Sequence, residues 1–131
     1  MHILLVEPDR VVAKCIVEAF QSENATFSIA TTADGAVIQA DTKKPDLVIT
    51  ELMLAGHSGS EFLYEFRTYS DWESTPIIVY TSLQIPPNIT NASDWKNLYV
   101  SEVVYKPKSS IEDLKHVAFD VLETKAQHAK S

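Results

Sequence analysis

The stretch of sequence that decides the fold is PDLVITELMLAGHSG, residues 45–59. Near its start lies a short apolar run, Leu47–Ile49, and an acidic residue, Glu51, follows that run two positions later. Uninterrupted apolar runs rich in β-branched residues are typical of strands that are covered on both faces, as in a parallel sheet. The stretch therefore predicts a buried strand that carries an acidic side chain beyond its carboxyl end.

Similar apolar runs recur along the chain, and segments of helical period separate them. The other runs are Ile3–Val6, Phe27–Ala30, Ile77–Tyr80 and Val103–Tyr105. Strands that alternate with helices are typical of a parallel sheet with helices on both of its faces. We therefore predict one (βα)5 domain of the α/β class over residues 1–124, with residues 125–131 as the end of the last helix or a tail.

The first predicted helix follows the first strand and has an apolar stripe. The stripe consists of Val11, Val12, Cys15, Ile16, Ala19 and Phe20. Because Cys15 is the only cysteine of the chain and has these apolar neighbours, we predict a buried structural thiol.

Three later helices are predicted from their stop and start signals. Asp34–Ala40 is ended by the sequence Lys-Lys-Pro at 43–45. Ser58–Glu61 has the form of a capping box, and Ser110–Asp113 opens the last helix. The apolar stripes of these two helices are Phe62, Leu63 and Phe66 in one, and Ile111, Leu114, Val117, Ala118, Val121 and Leu122 in the other.

The segment between Leu83 and Tyr99 has the least regular pattern. Its Pro86-Pro87 pair excludes a continuous helix, because proline lacks the backbone N–H and clashes with the preceding turn. We predict a loop followed by a short helix over 92–98, which is the fourth helix of the predicted fold.

The charge balance excludes several classes of function. The 131 residues carry 11 Lys and Arg against 18 Asp and Glu, a net charge of −7. A bulk electrostatic contact with nucleic acid needs clustered basic residues, and so does adhesion to an anionic membrane surface. The N-terminus lacks the features of a signal peptide, and no apolar run could span a bilayer. We expect a cytoplasmic protein without nucleic-acid or membrane partners.

The residues that follow the predicted strands form one chemical group. Glu7 and Asp9 follow the first strand, Glu51 the third, Thr81-Ser82 the fourth, and Lys106-Pro107 the fifth. The carboxyl ends of parallel strands meet at one edge of the sheet, where ligands bind. Carboxylates can hold a divalent cation, and Lys and Thr can bind phosphoryl oxygens.

Four stretches carry a resemblance to a known family. LLVEPD (4–9), PDLVITELMLAGHSG (45–59), PIIVYTS (76–82) and VVYKP (103–107) resemble, in order and spacing, the CheY-like receiver domain of two-component response regulators. The likeness extends from Ile3 to about Leu122. It implies a flavodoxin-like doubly wound sandwich with strand order 2-1-3-4-5. It also implies a phosphorylatable Asp, a Mg²⁺ held by acidic residues, and a Thr or Ser and a Lys that sense the phosphoryl group.

The chain departs from the family at several functional positions. Glu51 stands at the position of the phosphoacceptor Asp, and Pro8 replaces the second member of the acidic pair that begins with Glu7. Ala55 replaces a Pro of the acceptor loop, and Val103 lies where relatives often carry an aromatic switch residue. The phosphoryl-sensing positions Thr81, Ser82, Lys106 and Pro107 are retained, and the resemblance implies a cis Lys106–Pro107 bond.

These departures predict a receiver that has lost phosphotransfer. The added methylene displaces the Glu51 carboxylate, and Pro8 offers no ligand for a metal, so we expect no phosphorylation, no cofactor and no enzymatic activity. Were a metal to bind, Glu7, Glu51 and the Met53 backbone would hold it. We expect Glu51 to pair with Lys106 or to hydrogen-bond Thr81, which would fix one signalling-like state.

The remaining expectation concerns partners. We predict a stand-alone domain, a monomer or weak homodimer, that acts by binding a histidine kinase or a downstream effector. The face formed by the predicted fourth helix, fifth strand and fifth helix is the family's usual output surface. Its candidate contact residues are Trp95, Tyr99, Val103 and Tyr105.

Three alternatives remain open at this point. The first is a Mg²⁺-dependent receiver that still takes phosphate from a histidine kinase. A flavodoxin-type electron carrier shares the fold, but the acids at Glu7 and Asp9 would repel the flavin phosphate. A phosphohydrolase of the haloacid dehalogenase type would need an Asp nucleophile where Glu7 stands and a further acidic pair after Lys106.

Overall fold

The computed structural model describes residues 1–21, 23–54, 59–82 and 100–130; for 59–61 and 126–130 it describes the backbone alone. Several predictions lie outside the described residues. They concern Ala55, the Pro86-Pro87 break, the helix over 92–98, Trp95 and Tyr99.

Five parallel strands form one sheet. They are β1 (His2–Val6), β2 (Thr26–Ala30), β3 (Leu47–Thr50), β4 (Ile77–Thr81) and β5 (Val100–Tyr105). Their order is β2-β1-β3-β4-β5, so the predicted flavodoxin-like topology is confirmed. β5 begins three residues before the apolar run that predicted it, and the pairing of β4 with β5 shifts register between Ile77 and Ile78.

Within the described residues, four helices pack against the sheet. They are α1 (Arg10–Ala19), α2 (Ala33–Thr42), α3 (Gly59–Thr68) and α4 (Ile111–Lys130), where α4 is the fifth helix of the predicted fold. α4 continues to Lys130, so residues 125–130 form the end of this helix. Two 3₁₀ turns, Ser70–Trp72 and Lys106–Lys108, complete the described elements.

Each face of the sheet has its own apolar core. On one face the buried cluster includes Leu4, Val48 and Val79 from the strands, together with Phe62, Leu63 and Phe66, the predicted stripe of α3. On the other face Ile3, Leu5, Ile49 and Ile78 pack with residues of α1 and α4. Burial of β1, β3 and β4 on both faces explains their uninterrupted apolar sequences.

The prediction of which α1 residues face the core is wrong in part. Val11 is 71% exposed and Cys15 is exposed, whereas Ala13, Ile16 and Phe20 are buried. The helix is rotated because a stripe through Ala13, Ile16 and Phe20 allows close contact at the alanine and places the Phe20 ring against Phe27 and Phe119. Cys15 is therefore a surface thiol and not a core residue.

Asp9 begins α1. Its Oδ1 accepts hydrogen bonds from the backbone N–H groups of Val11 (2.9 Å) and Val12 (3.2 Å), which have no partner within the helix. The same kind of cap opens α4, where Ser110 and Asp113 exchange side-chain to backbone hydrogen bonds. The Asp9 cap fixes the end of the loop that connects β1 to α1.

We expect Asp9→Ala to lower the free energy of unfolding by about 1 kcal/mol, because two backbone N–H groups lose their acceptor. Asp9→Ser retains a capping oxygen and should stay within a few tenths of a kcal/mol of the parent. Urea unfolding followed by circular dichroism measures both. Equal losses in the two variants would show that the side chain acts other than as a cap.

Candidate functional site

The carboxyl ends of β1, β3, β4 and β5 bring four polar side chains together at one edge of the sheet, as predicted. Val6 and Thr50 are register partners, so the next residues, Glu7 and Glu51, lie side by side. The Glu51 N–H donates to the Val6 carbonyl at 2.9 Å, which fixes this placement. Both glutamates are buried, with 2% and 3% of their surface exposed.

Lys106 lies between the two carboxylates. Its Nζ is 2.6 Å from Glu7 Oε1 and 3.0 Å from Glu51 Oε1. The predicted pairing of Glu51 with Lys106 is therefore present, and Lys106 also pairs with Glu7. One ammonium thus neutralises part of the charge of two buried acids, and the cluster keeps a formal charge of −1.

The second oxygen of each carboxylate accepts backbone hydrogen bonds. Glu51 Oε2 accepts from Leu52 N–H at 2.6 Å and from Met53 N–H at 3.4 Å. Glu7 Oε2 accepts from Asp9 N–H at 3.1 Å. Neither carboxylate therefore has an oxygen that lacks a hydrogen-bond donor.

The ionisation of this cluster follows from its contacts. Burial acts to raise the pKa of Glu51, but hydrogen bonds from Thr81, Lys106 and the Leu52 N–H outweigh it, and the pKa lies below its ordinary value. Burial acts to lower the pKa of Lys106, but hydrogen bonds to the two carboxylates outweigh it and raise the pKa. Thr81 is fully buried, and its hydrogen bond with Glu51 makes it part of the cluster.

The other predicted site residues lie at the margin of the Glu7–Glu51–Lys106 cluster. The Asp9 side chain is exposed and caps α1, so Asp9 contributes its N–H and not its carboxylate to the cluster. Ser82 is exposed, as is Pro107. The Lys106–Pro107 bond is trans, and the predicted cis arrangement is wrong. Here Pro107 lies in a 3₁₀ turn closed by the Ser109 N–H on the Lys106 carbonyl, and a trans proline suits the start of a helical turn.

Tyr80 is a further neighbour of the cluster and is not among the predicted site residues. Its ring centroid is 5.4 Å from Lys106 Nζ, a cation–π contact, and its side chain is almost fully buried. Burial raises the pKa of its phenol. A tyrosine inside a run of Ile and Val was the available signal, since its polar tip needs a partner when buried.

A comparison with protein families decides the affiliation of the chain. The model of the response regulator receiver domain matches residues 3–122. The chain belongs to this family.

Two curated relatives of this receiver are regulatory proteins. The chain is 28% identical over 81 residues to the KDP operon transcriptional regulatory protein KdpE of Escherichia coli. This match covers 62% of the chain and 35% of the relative. The chain is also 38% identical over 98 residues to the regulatory protein VanRB of Enterococcus faecalis. This second match covers 72% of the chain and 41% of the relative. The chain thus spans well under half the length of each.

Solved receiver structures share its fold. The chemotaxis response regulator CheY4 of Vibrio cholerae aligns with a TM-score of 0.80 at 20% identity, covering 92% of this chain and 97% of that one. A CheY-like receiver from Methanospirillum hungatei aligns with a TM-score of 0.84 at 18% identity, covering 97% of both chains. Among the described residues, no helix is both long and apolar enough to cross a membrane.

The residues of this receiver do not fit the Mg²⁺ that the family implies. Hard cations need several oxygen ligands, but Pro8 supplies no side-chain oxygen and the Asp9 carboxylate caps α1. Lys106 Nζ lies within 3.0 Å of one oxygen of each remaining acid. In the part of the chain that the structure describes, no group of three or more His, Cys, Asp or Glu residues could hold a metal.

We expect Lys106→Met to lower the free energy of unfolding at pH 7 by about 3–5 kcal/mol, because two buried carboxylates lose their cation. The exposed Lys108, on the same 3₁₀ turn, provides the control: Lys108→Met should change stability by about 0.5 kcal/mol or less. Chemical unfolding of the three proteins measures both effects.

The same contacts predict the pH dependence of stability. The lowered pKa of Glu51 adds stability that is present above its ordinary value of 4.5 and is lost as the pH falls below it. The raised pKa of Lys106 adds stability that is present below its ordinary value of 10.5 and is lost at higher pH. In Lys106→Met the carboxylates repel, so the stability deficit should shrink between pH 7 and pH 4. A deficit independent of pH would contradict the role of these charges.

Proposed function

We propose that this receiver works without phosphorylation and without a bound cation, as a binding module for another signalling protein. The observation that carries the proposal is the contact set of Glu51. Its carboxylate already accepts hydrogen bonds from Lys106, from Thr81 and from the backbone of Leu52. In family members the Lys and the Thr or Ser are the groups that sense a phosphoryl group. Here a carboxylate of the chain itself engages them.

The length of the glutamate side chain supports this reading. One methylene more than aspartate moves the carboxylate by roughly 1.5 Å along the side chain, about one carbon–carbon bond. That displacement takes it toward Lys106 and away from the position from which an aspartate would attack a phosphoryl donor. Misplacement on this scale can reduce the rate of a positioned reaction about 10²-fold.

Burial argues against the alternative of a receiver that still accepts phosphate. Attack on a phosphoryl donor needs a carboxylate oxygen that can leave its present partners and meet the donor in line. Glu51 is 3% exposed, and both of its oxygens accept hydrogen bonds. Freeing one of them would break either the pair with Lys106 or the hydrogen bond with the backbone. The proposal therefore also holds that the domain is not an enzyme.

The partner we propose is a histidine kinase or a downstream effector in the cytoplasm. The net charge of −7 disfavours a direct role of this domain on nucleic acid. Val103 of the edge strand β5 is 39% exposed and Tyr105 is half-buried. β5 leads directly into Lys106, so the buried cluster and this exposed strand are covalently continuous. We propose that the face of β5 and α4 carries the contact.

Acetyl phosphate with Mg²⁺ should leave the mass of the parent chain unchanged, whereas one phosphoryl group adds about 80 Da. The matched variant is Pro8→Asp with Glu51→Asp, which restores both family residues and should show the adduct. Intact-mass spectrometry reads both. An adduct on the parent chain, mapped to Glu51, would contradict the proposal.

Glu51→Gln should shift the amide resonances of Val103 and its neighbours in β5, because the variant weakens the contact with Lys106 at the end of that strand. Glu65→Gln, on the exposed face of α3, makes the same charge change away from the site and should leave β5 unchanged. Two-dimensional ¹⁵N–¹H spectra provide the measurement. Shifts confined to the residues around position 51 would show that Glu51 does not set the state of β5.

A further inference from the structure

The two edge strands of the sheet differ in how they are protected against pairing with another chain. An edge strand exposes unpaired backbone groups, and charged residues or bulges within it prevent such pairing. β5 has both features, because Glu102 is exposed and the pairing with β4 shifts register between Ile77 and Ile78. β2 has the sequence TFSIA, without a charged residue or a proline, and pairs with β1 in one continuous register. β2 is therefore the edge that is open to a further strand.

The backbone of β2 presents hydrogen-bonding groups to this open side. The Thr26 N–H donates to the Met1 carbonyl at 3.0 Å, and the Ala30 carbonyl accepts from the Glu7 N–H at 2.9 Å. Alternate residues of a strand direct their backbone groups to the same side, so 26, 28 and 30 face β1. The N–H and C=O groups of Phe27 and Ile29 consequently face outward, where no strand of the sheet accepts or donates to them.

A groove of about 530 Å³ lies between this edge and α1. Its apolar lining consists of Ala13, Val17 and Ile29, and Ile29 is 44% exposed. Arg10 and Lys14 lie on the same face of α1 as Ala13 and Val17, because all four are three or four positions apart. From Arg10 to Val17 the helix rises about 10 Å, which is the length of about three residues of an extended strand.

The polar lining of the groove has an unpaired positive charge. The Arg10 side chain is exposed, and within the described part of the chain its guanidinium has no ion-pair partner. Lys14 and Glu18 form an exposed pair at 4.0 Å, which holds Lys14 weakly. Glu7 also lines the groove, but its carboxylate is already paired with Lys106. The groove is thus complementary to an apolar side chain that has an acidic side chain next to it.

We infer that the edge of β2 is a docking site for an extended segment of another protein, which adds to the sheet as a sixth strand. Backbone hydrogen bonds to Phe27 and Ile29 hold the segment, an apolar side chain of the segment enters the groove, and an Asp or Glu pairs with Arg10. A second copy of the chain fits less well, because its β2 has no acidic residue and two chains of net charge −7 repel one another. This site goes beyond the proposed function, which uses β5 at the opposite edge of the sheet.

Peptides selected from a random library displayed on phage, with the full chain as target, are the probe. The selected peptides should share an apolar residue and an Asp or Glu. Hydrogen exchange measured by NMR locates their contact. The amides of Phe27 and Ile29 should exchange rapidly in the free chain and slowly in the complex, whereas those of Ser28 and Ala30, which face β1, should exchange slowly in both.

Variants of the edge test which groups bind the peptide, with fluorescence anisotropy as the measurement. Ile29→Pro removes an N–H that faces outward, so an edge strand tolerates it, and the affinity should fall about tenfold, the equivalent of one hydrogen bond. Ile29→Lys, which keeps the backbone N–H, should also weaken binding by placing a charge on the edge. Arg10→Gln should weaken binding about two- to fivefold. The control is Val11→Lys, at a position of α1 that is 71% exposed and outside the groove, and it should bind as the parent does.

The inference would be overturned if the selection yielded no binding peptide, or if the peptides bound Ile29→Pro and Ile29→Lys as tightly as the parent. Should Ile29→Pro be unfolded, the comparison with Ile29→Lys decides. Slow exchange of the Phe27 and Ile29 amides in the concentrated parent chain alone would also overturn it, because the occupant would then be a second copy. Glu51→Gln should bind the peptides as the parent does, so failure of this inference and failure of the proposed function are separate results.

Discussion

The burial of two carboxylates side by side is the constraint on which this structure depends. Removing Glu7 and Glu51 from water costs several kcal/mol per ion, and their mutual repulsion adds to that cost. Lys106 offsets both terms because one ammonium contacts both acids. Backbone N–H groups satisfy the oxygens that Lys106 does not reach. The buried acids therefore depend on Lys106 and on these N–H groups to offset the cost of their burial.

The parallel sheet supplies this set from distant parts of the chain. Glu7 and Lys106 are 99 positions apart in sequence, yet β1 and β5 end at the same edge. The pairing of β1 with β3 places the two acids together, and the pairing of β4 with β5 sets Thr81 opposite Tyr105, next to Lys106. A receiver fold positions acids, a hydroxyl and a lysine in this way whether or not they perform phosphotransfer. The fold is thus common to the family, while the chemistry depends on which side chains the edge carries.

The positions of the buried strands and their parallel topology could be predicted from the sequence. The apolar runs of β1, β3 and β4 were informative because both faces of those strands are covered, and the parallel topology then implied the meeting of Glu51, Thr81 and Lys106. The apolar pattern of α1 led to a wrong prediction of its buried face. Val11 and Cys15 extend the apolar stripe in the sequence, but Ala13 is the residue that contacts the core. Small residues carry little periodic signal, and so the rotation of the helix could not be predicted.

Local geometry was predicted less well than the topology. The Asp9 cap could have been found, because an aspartate directly before a helix is a preferred N-cap residue. The trans bond at Pro107 could not have been predicted, because the 3₁₀ turn that contains it depends on where β5 ends. The contact of Tyr80 with Lys106 depends on the packing of several elements, which no local pattern encodes.

The loop after β1 shows how the chain can lose a metal ligand and keep its acids buried. Pro8 has no N–H and a fixed φ, so the next free donor is the N–H of Asp9, which returns to Glu7 Oε2. The Asp9 side chain is then directed to the start of α1, where it holds the loop in that geometry. A backbone N–H and a lysine thus stabilise the charge of Glu7, the role that a cation has in family members. Because these donors belong to the chain, their contacts with the acids form without a bound ion.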